Sequence, residues 1–248
     1  MISICLASYN GEKYIYEQLI SILEQIGPED EIVISDDGST DRTIDIINSL
    51  SDRRIRIVKN VKERVDLSYY PGVYFANRNF SNALKECNGE VIFLSDQDDV
   101  WLKGKLRKMC EALETSDLVV SNCSMIDKSG LIIQDSYFDI IPPSSNILRT
   151  IFRSSFHGCC MAFNRKVLDR STPIPNSFIG HDIWLGMIAS KFYSVSFIDE
   201  PLLLYRRHNE TVTTSSSKST KPLWHKIYYR INLVYTFLKR VNYIRKGK

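Results

Sequence analysis

Several features that would settle the class of this chain at once are missing. No stretch approaches the roughly 18 consecutive apolar residues of a membrane-spanning helix, so the chain is expected not to cross a bilayer. The opening Met1-Ile2-Ser3-Ile4-Cys5-Leu6-Ala7 has no basic leader and is too brief for a signal peptide, which argues against export by that route. The six cysteines contain no C-x-x-C pair, and several sit inside apolar runs. They read as reduced core residues of an intracellular protein, not as a disulfide framework or a zinc site. No Gly-x-Gly-x-x-Gly or Walker pattern occurs, and no Ser nucleophile elbow, so dinucleotide, P-loop and serine-hydrolase readings lack support. The net charge of +3 is too small to imply a nucleic-acid partner.

What is present is ordinary in bulk and specific in detail. With 248 residues, 44% hydrophobic and 25% charged, the chain has ample core for one large α/β domain or two small ones. Residues 2–7, 31–35, 54–58 and 90–95 read as strands. Between them lie helical patterns at residues 14–23, 43–47 and 80–87, with Thr40 or Ser39 placed to cap the second. This βαβαβαβ order predicts a parallel sheet with right-handed crossovers, whose ligands gather beyond the carboxyl ends of the strands.

Every polar cluster falls at that edge. The most telling is Leu94-Ser95-Asp96-Gln97-Asp98-Asp99-Val100-Trp101, where a buried apolar run ends in closely spaced carboxylates. Anions packed this tightly repel one another and lose solvation, so a compensating positive charge is expected. Oxygen-rich ligation suits Mg²⁺ or Mn²⁺ carrying substrate phosphate. Ser8-Tyr9-Asn10-Gly11 and Asp36-Asp37-Gly38-Ser39-Thr40-Asp41 are the other two clusters.

The second half carries a strand at residues 117–122, a turn at Asp127-Lys128-Ser129-Gly130 and a loop at residues 141–146 that marks a boundary or a lid. An extended apolar piece follows at residues 156–163, then a helix through residues 166–168. A further helix begins at His181-Asp182, and short strands are expected at residues 195–198 and 202–205. Residues 211–220, rich in Ser, Thr and Lys, are expected to be mobile.

These motifs, in this order, resemble the family 2 glycosyltransferases of GT-A fold. The match runs from Ala7-Ser8-Tyr9-Asn10-Gly11 through the Asp36-Asp37 turn and the Asp96-Gln97-Asp98-Asp99-Val100-Trp101 segment. It continues through His157-Gly158-Cys159-Cys160-Met161-Ala162-Phe163-Asn164 and His181-Asp182-Ile183-Trp184-Leu185 to Tyr205-Arg206-Arg207-His208-Asn209. The Asp-Gln-Asp-Asp-x-Trp form is similar to the rhamnosyltransferase-like branch. The resemblance implies an α/β fold with a Rossmann-like, mainly parallel sheet flanked by helices. Residues 1–100 would form a nucleotide-sugar half and residues 101–212 an acceptor half. It also implies inverting, metal-dependent transfer from dTDP-rhamnose or a UDP-sugar to a saccharide or polyprenyl-linked acceptor, in bacterial surface polysaccharide synthesis.

Residue by residue, the resemblance implies that Asp37 reads the donor's base, with Asp36 an equal candidate because neighbouring side chains at a strand end point opposite ways. Ala7, Tyr9, Asn10 and Gln97 line the donor site. Asp98 binds the metal, Asp96 holds the ribose or the metal through water, and Asp99 caps a helix or supports its neighbours. Arg78, with Asn79, matches a donor-contacting position before the residue-80 helix. Asp182 is the candidate general base, with a helix N-cap as its bland alternative. Arg206 and Arg207 would neutralise the leaving diphosphate, and His208 would join them or ligate the metal. Arg207 stands where relatives often carry Gln. A nucleotidyltransferase is the competing enzyme reading, but the Gly-rich phosphate loop it needs is missing. A sugar-nucleotide-binding module without transfer is the competing non-enzyme reading, and it has no use for Asp182.

The segment 223–248 is separate. It is rich in Lys and Arg, contains no acid, and places Trp224, Ile227, Tyr228, Ile231, Val234, Tyr235 and Leu238 at helical spacing. A basic amphipathic helix of this kind reads as a peripheral anchor on the inner face of the cell membrane, or as a helix packed on the domain or in a homodimer.

Overall fold

The computed structural model describes residues 1–60, 71–175, 179–207 and 222–247. Its first half alternates β1 (Ile2–Ser8), α1 (Ile15–Leu23), β2 (Glu31–Asp36), α2 (Thr43–Ser49), β3 (Ile55–Lys59), α3 (Pro71–Glu86) and β4 (Val91–Ser95). β3, β2, β1 and β4 lie side by side in that order, all parallel. β1, β2 and β4 are apolar on both faces and buried, whereas β3, alternating Arg with Ile and Val, is half-buried at the edge. α1 packs with Ile15, Gln18, Leu19 and Ile22, the spacing of one helical face.

The second half extends the same sheet. It comprises β5 (Val100–Trp101), α4 (Lys105–Leu113), β6 (Leu118–Ile126), β7 (Ile132–Gln134), α5 (Tyr137–Ile140) and α6 (Ile147–Phe152). After a single 3₁₀ turn at Gly158–Cys160 come β8 (Met161–Asn164), α7 (Arg165–Ser171), α8 (His181–Phe192), β9 (Val195–Arg206) and α9 (Leu223–Arg245). The strand order is β3-β2-β1-β4-β8-β6-β9-β5, with β7 paired to β6. β8 runs antiparallel to both β4 and β6, and β9 parallel to β6. β6, buried along its whole length, is the central strand of this half.

Several sequence expectations need correction. The helix expected at residues 80–87 begins nearly three turns earlier, so Arg78 and Asn79 lie within it and not before it. Its early turns are rich in Asn, whose poor helix propensity hides them. Neither Ser39 nor Thr40 caps α2. Asp41 does that work through the Thr43 N–H, because Ser39 is bonded to Asp36 and Asn10. The two short strands expected at residues 195–205 are one strand, β9, with irregular register around Asn122. α5 and α6 are too short to show helical periodicity, although Asn146 caps α6 by accepting from the Arg149 N–H at 3.0 Å. All six cysteines are free, and all but the half-buried Cys110 are buried. The tract at residues 211–220 lies outside the described residues.

α9 packs on the domain, though not by the face its sequence advertises. Leu233, Phe237 and Val241 enter a small second core with Trp184, Met187 and Ile188 of α8. The Arg240 guanidinium donates to the carbonyls of Arg170 and Thr172. Most of the aromatic stripe picked out in the sequence stays exposed.

Gly89 sets the spacing between β1 and β4. A Cβ there would lie 2.5 Å from the Ser3 nitrogen and 2.8 Å from the Ile2 carbonyl carbon, backbone atoms held in the sheet. Gly89→Ala is expected to destabilise the fold by roughly 1–3 kcal/mol, the usual cost of overpacking. A shift in the urea midpoint at constant slope would show it.

Candidate active site

The carboxyl edge of β1, β2 and β4 is fastened by side-chain to backbone hydrogen bonds. Gln97 clasps Tyr9: its Oε1 accepts from the Tyr9 N–H at 2.8 Å and its Nε2 donates to the Tyr9 carbonyl at 2.9 Å. Gly11 is required beneath, since a Cβ there would sit 2.4 Å from Gln97 Oε1. Asn10, at φ +49°, donates its backbone N–H to Ser39 Oγ at 2.9 Å and accepts at Oδ1 from the Thr40 N–H at 2.9 Å. Asn10 and Gln97 therefore join the loops of this edge, and Tyr9 is half exposed there.

Asp36 and Asp37 have different surroundings. The Asp36 carboxylate accepts from the N–H groups of Gly38 and Ser39 at 3.0 and 2.8 Å. It also accepts from the hydroxyls of Ser8 and Ser39 at 2.8 and 2.6 Å. Four donors commit it to the turn. Asp37 is also buried, with Oδ1 accepting from Asn60 Nδ2 at 3.1 Å, and it adjoins a cleft of about 720 Å³ lined by Asn60, Arg78 and Arg165.

The acidic loop is strapped from behind by Arg206. Its guanidinium, 4% exposed as a residue, donates through Nε to the Asp98 carbonyl at 2.9 Å and through Nη2 to Glu17 at 2.7 Å, and it lies over the Tyr14 ring. Its backbone N–H donates to Asp99 Oδ1 at 3.0 Å. Asp99 is thus a buried support and caps no helix; α4 begins six residues later after Gly104 at φ +88°. Lys105, fully buried, reaches Ser121 Oγ at 3.4 Å and lies over Trp101 on the inner side of the loop.

The charge is confined, and it shows in the proton affinities. Burial first, then the negative charges of Asp98 and Asp182, hold the Asp96 carboxyl group up at about 8. Burial and the charges of Asp98 and Asp96 push Asp99 well above the carboxylate range, with the Arg206 N–H opposing. A Cβ on Gly158 would lie 3.2 Å from His181 Nε2 and 3.7 Å from Asp182 Cβ, and Cys159 beside it reaches Asp96 and Asp99, so the head of α8 adjoins the loop at the end of β4.

That head is anchored to α3. Asn77 Oδ1 accepts from the His181 N–H at 2.7 Å, and Asn77 Nδ2 donates to the Ile179 carbonyl. The same Oδ1 lies 3.1 Å from His181 Nδ1, which puts the ring proton on Nδ1 and leaves Nε2 buried without a hydrogen-bond partner among the described residues. The imidazole stacks on Phe80 at 4.0 Å, and burial lowers its proton affinity. The helix cap is Gly180, so Asp182 stands inside the first turn and is not the N-cap. A Cβ on Gly180 would lie 2.4 Å from Asp182 Oδ1.

The Glycosyl transferase family 2 model matches residues 3–172. The chain belongs to that family. Among family 2 relatives, the Escherichia coli UDP-Glc:alpha-D-GlcNAc-diphosphoundecaprenol beta-1,3-glucosyltransferase WfaP is 30% identical over 88% of this chain and 82% of its own length. The Shigella flexneri dTDP-rhamnosyl transferase RfbG is 29% identical over 92% of this chain and 78% of its own. The structure of S. aureus TarS 1-349 in complex with UDP-GlcNAc superposes with a TM-score of 0.65 at 19% identity, covering 96% of this chain and 72% of that one. The fold is therefore the GT-A type expected.

Within this family 2 fold, the remaining expected residues fall in different places. Ala7 is half-buried near the end of β1, opposite Ser35. Arg78 lies in α3 beside the Tyr74 ring, facing the cleft next to Asp37. Arg206 sits under the acidic loop, bound to Glu17 and a carbonyl, and so does not match a diphosphate-facing role. Arg207 is half-buried and donates to the Tyr205 hydroxyl at 3.3 Å. His208 lies outside the described residues. Sequence reasoning missed Asn77, Asn82 and Glu17. Asn82 donates to Ser35 Oγ at 2.9 Å and to the Lys59 carbonyl at 3.2 Å. The available signal was three asparagines within a single helix, where their propensity gives no reason for them.

Carboxylates, the donor type that a hard divalent cation takes, are concentrated in this loop. Oxygens of Asp96 and Asp99 and the sulfur of Cys159 lie within 4.8 Å of one another. Asp99 Oδ2 is buried with no hydrogen-bond partner among the described residues. The thiol is a poor match for Mg²⁺ or Mn²⁺, which leaves the less buried Asp96 and Asp98 as the suitable oxygen donors.

A carboxyl group that titrates near 3.9 unfolded and near 8 folded keeps its proton in the folded chain between those values. The folded state then binds more protons, and stability falls as pH rises through that window. In EDTA, the melting temperature is expected to drop from about pH 5 to about pH 8. Mn²⁺, which favours the ionised form, should flatten that slope, as should Asp96→Asn in EDTA. A slope unchanged by both would contradict the assignment.

Proposed function

We propose that this chain transfers a sugar, with inversion, from a nucleoside-diphosphate donor (dTDP-rhamnose or a UDP-sugar) to a saccharide acceptor carried on a polyprenyl diphosphate. The process served is bacterial surface polysaccharide synthesis, at the inner face of the cell membrane. The observation that carries this reading is the meeting of the two halves at the acidic loop: Cys159 Sγ lies within 4.8 Å of Asp96 and Asp99 oxygens, and a Cβ on the adjoining Gly158 would lie 3.7 Å from Asp182 Cβ. A donor-holding loop and a candidate base thus meet at one sheet edge. The names of WfaP and RfbG supply the substrate classes.

In this reading Asp37, steadied by Asn60, accepts the imide N–H of the donor's pyrimidine, and Tyr9 stands over the pocket as an aromatic wall. Asp96 and Asp98 would hold a divalent cation, which when bound neutralises the diphosphate and favours its departure. Arg207 and His208 are the cations proposed to face that leaving group, since Arg206 is spent on the loop. Asp182 takes the proton from the acceptor hydroxyl as the new glycosidic bond forms and the bond to the diphosphate breaks. Asn77 and His181 hold the first turn of α8 in place, so they position the base without touching the reacting atoms. Among the described residues no helix is long and apolar enough to cross a membrane, so a lipid-linked acceptor would be met at a surface.

Incubating the purified chain with Mn²⁺, a panel of nucleotide sugars and a lipid-linked saccharide should release free nucleoside diphosphate only when donor and acceptor are both correct. Asp98→Ala is expected to lose metal-dependent donor binding and transfer together. Asp182→Ala should retain donor binding while transfer falls by roughly 10²–10⁴-fold, the usual worth of a general base. Vigorous transfer by the Asp182 variant would remove that residue from the mechanism. Donor binding without any transfer across the panel would favour a binding module.

A further inference from the structure

α9 carries two apolar rows, and among the described residues one of them enters the core. Leu233, Phe237 and Val241 face the domain. Trp224, Ile227, Tyr228, Ile231, Tyr235 and Leu238 are exposed, Ile231 at 63% and Tyr235 at 65%. At roughly 100° per residue, these six fall within an arc of about 100° opposite the packed face. The stripe is therefore not the helix's packing surface, and its aromatic content is not explained by the fold.

A second helix continues it. α6 turns Ile147 and Ile151 toward the small core and leaves Leu148 and Phe152 at 70% and 68% exposure. The Arg230 guanidinium of α9 lies 5.0 Å from the centre of the Phe152 ring, so the exposed side chains of the two helices are neighbours. The charged side chains of the two helices are all basic. α9 carries Lys226, Arg230, Lys239 and Arg245, α6 carries Arg149 with Arg153 just beyond it, and neither helix contains an acid.

We infer that α6 and α9 together form a docking surface for an anionic phospholipid bilayer, with Leu148, Phe152 and the α9 stripe entering the headgroup region. The charge decides the occupant. A second copy placed symmetrically on this face would set one basic rim against another, whereas an anionic bilayer complements it, each cation near such a surface adding to the attraction. Tyr and Trp on one side of a helix, with Lys and Arg beside them, are the side chains that settle at a lipid–water boundary. The proposed lipid-linked acceptor gives this surface a purpose, but its binding is measurable without any transfer.

The test is sedimentation of the full chain with vesicles of phosphatidylglycerol and phosphatidylcholine, and with phosphatidylcholine alone. The wild-type chain should bind the anionic vesicles strongly and the neutral ones weakly. Ile231→Glu with Tyr235→Glu, and separately Leu148→Glu with Phe152→Glu, should each lower partitioning by at least roughly tenfold, each adding two repelled charges and removing apolar area. Melting temperatures should stay unchanged, because all four positions are exposed. Equal binding by wild type and both variants would overturn the inference. So would indifference of the wild type to anionic lipid, or a dimer in ultracentrifugation that the same substitutions dissolve. Transfer to a water-soluble acceptor analogue should be unaffected by either pair. If the wild type fails in that assay, the proposed reaction fails while the vesicle result stands.

Discussion

The structure depends on holding negative charge where a sheet edge leaves it little solvent. Asp96, Asp98 and Asp99 leave the end of β4 together, and the fold answers with a buried arginine from the far end of the last strand. Arg206 spends its guanidinium on the Asp98 carbonyl, on Glu17 of α1 and on the face of Tyr14, and its own amide on Asp99. Its positive charge thus lies beneath the loop and leaves the outer side open. The strap links α1, the acidic loop and β9, whose sequence positions span nearly the whole described domain.

Much of this was legible in the sequence because the first half obeys simple periodicities. Strands apolar on both faces alternate with amphipathic helices, and polar clusters fall at the strand ends, so sheet, edge and site followed from spacing. The acidic cluster beyond Leu94 and the acid at Asp182 were readable as chemistry. Their convergence on Asp96 needed the chain to be folded, because β4 and α8 are far apart in sequence. Arg206 shows the limit. Its motif position suggested a contact with phosphate, yet whether a cation faces ligand or core is decided by partners such as Glu17 that no local pattern marks. Asp36 and Asp37 are indistinguishable as neighbours in sequence, and that Asp36 is held by four donors of its own turn could be seen only in the fold.

The second half was less readable for physical reasons. α5 and α6 are shorter than the window in which a helical period can be seen, and β9 is interrupted by register shifts that break it into two apparent strands. α9 was legible as a helix, with its stripe read as either a membrane face or a packing face, and the row that packs is a different one. Its stripe of aromatics is the more conspicuous one, whereas the face that enters the domain is a plain row of Leu233, Phe237 and Val241.

The asparagines of α3 have one more consequence. Asn79 donates to the Ser8 carbonyl at the end of β1, Asn82 to Ser35 and Lys59 on β2 and β3, and Asn77 grips the start of α8. One helix is thus the common ruler between the carboxyl ends of β1, β2 and β3 and the first turn of α8. In the proposed reaction that same helix would set, in turns, the separation between the donor and the proposed base.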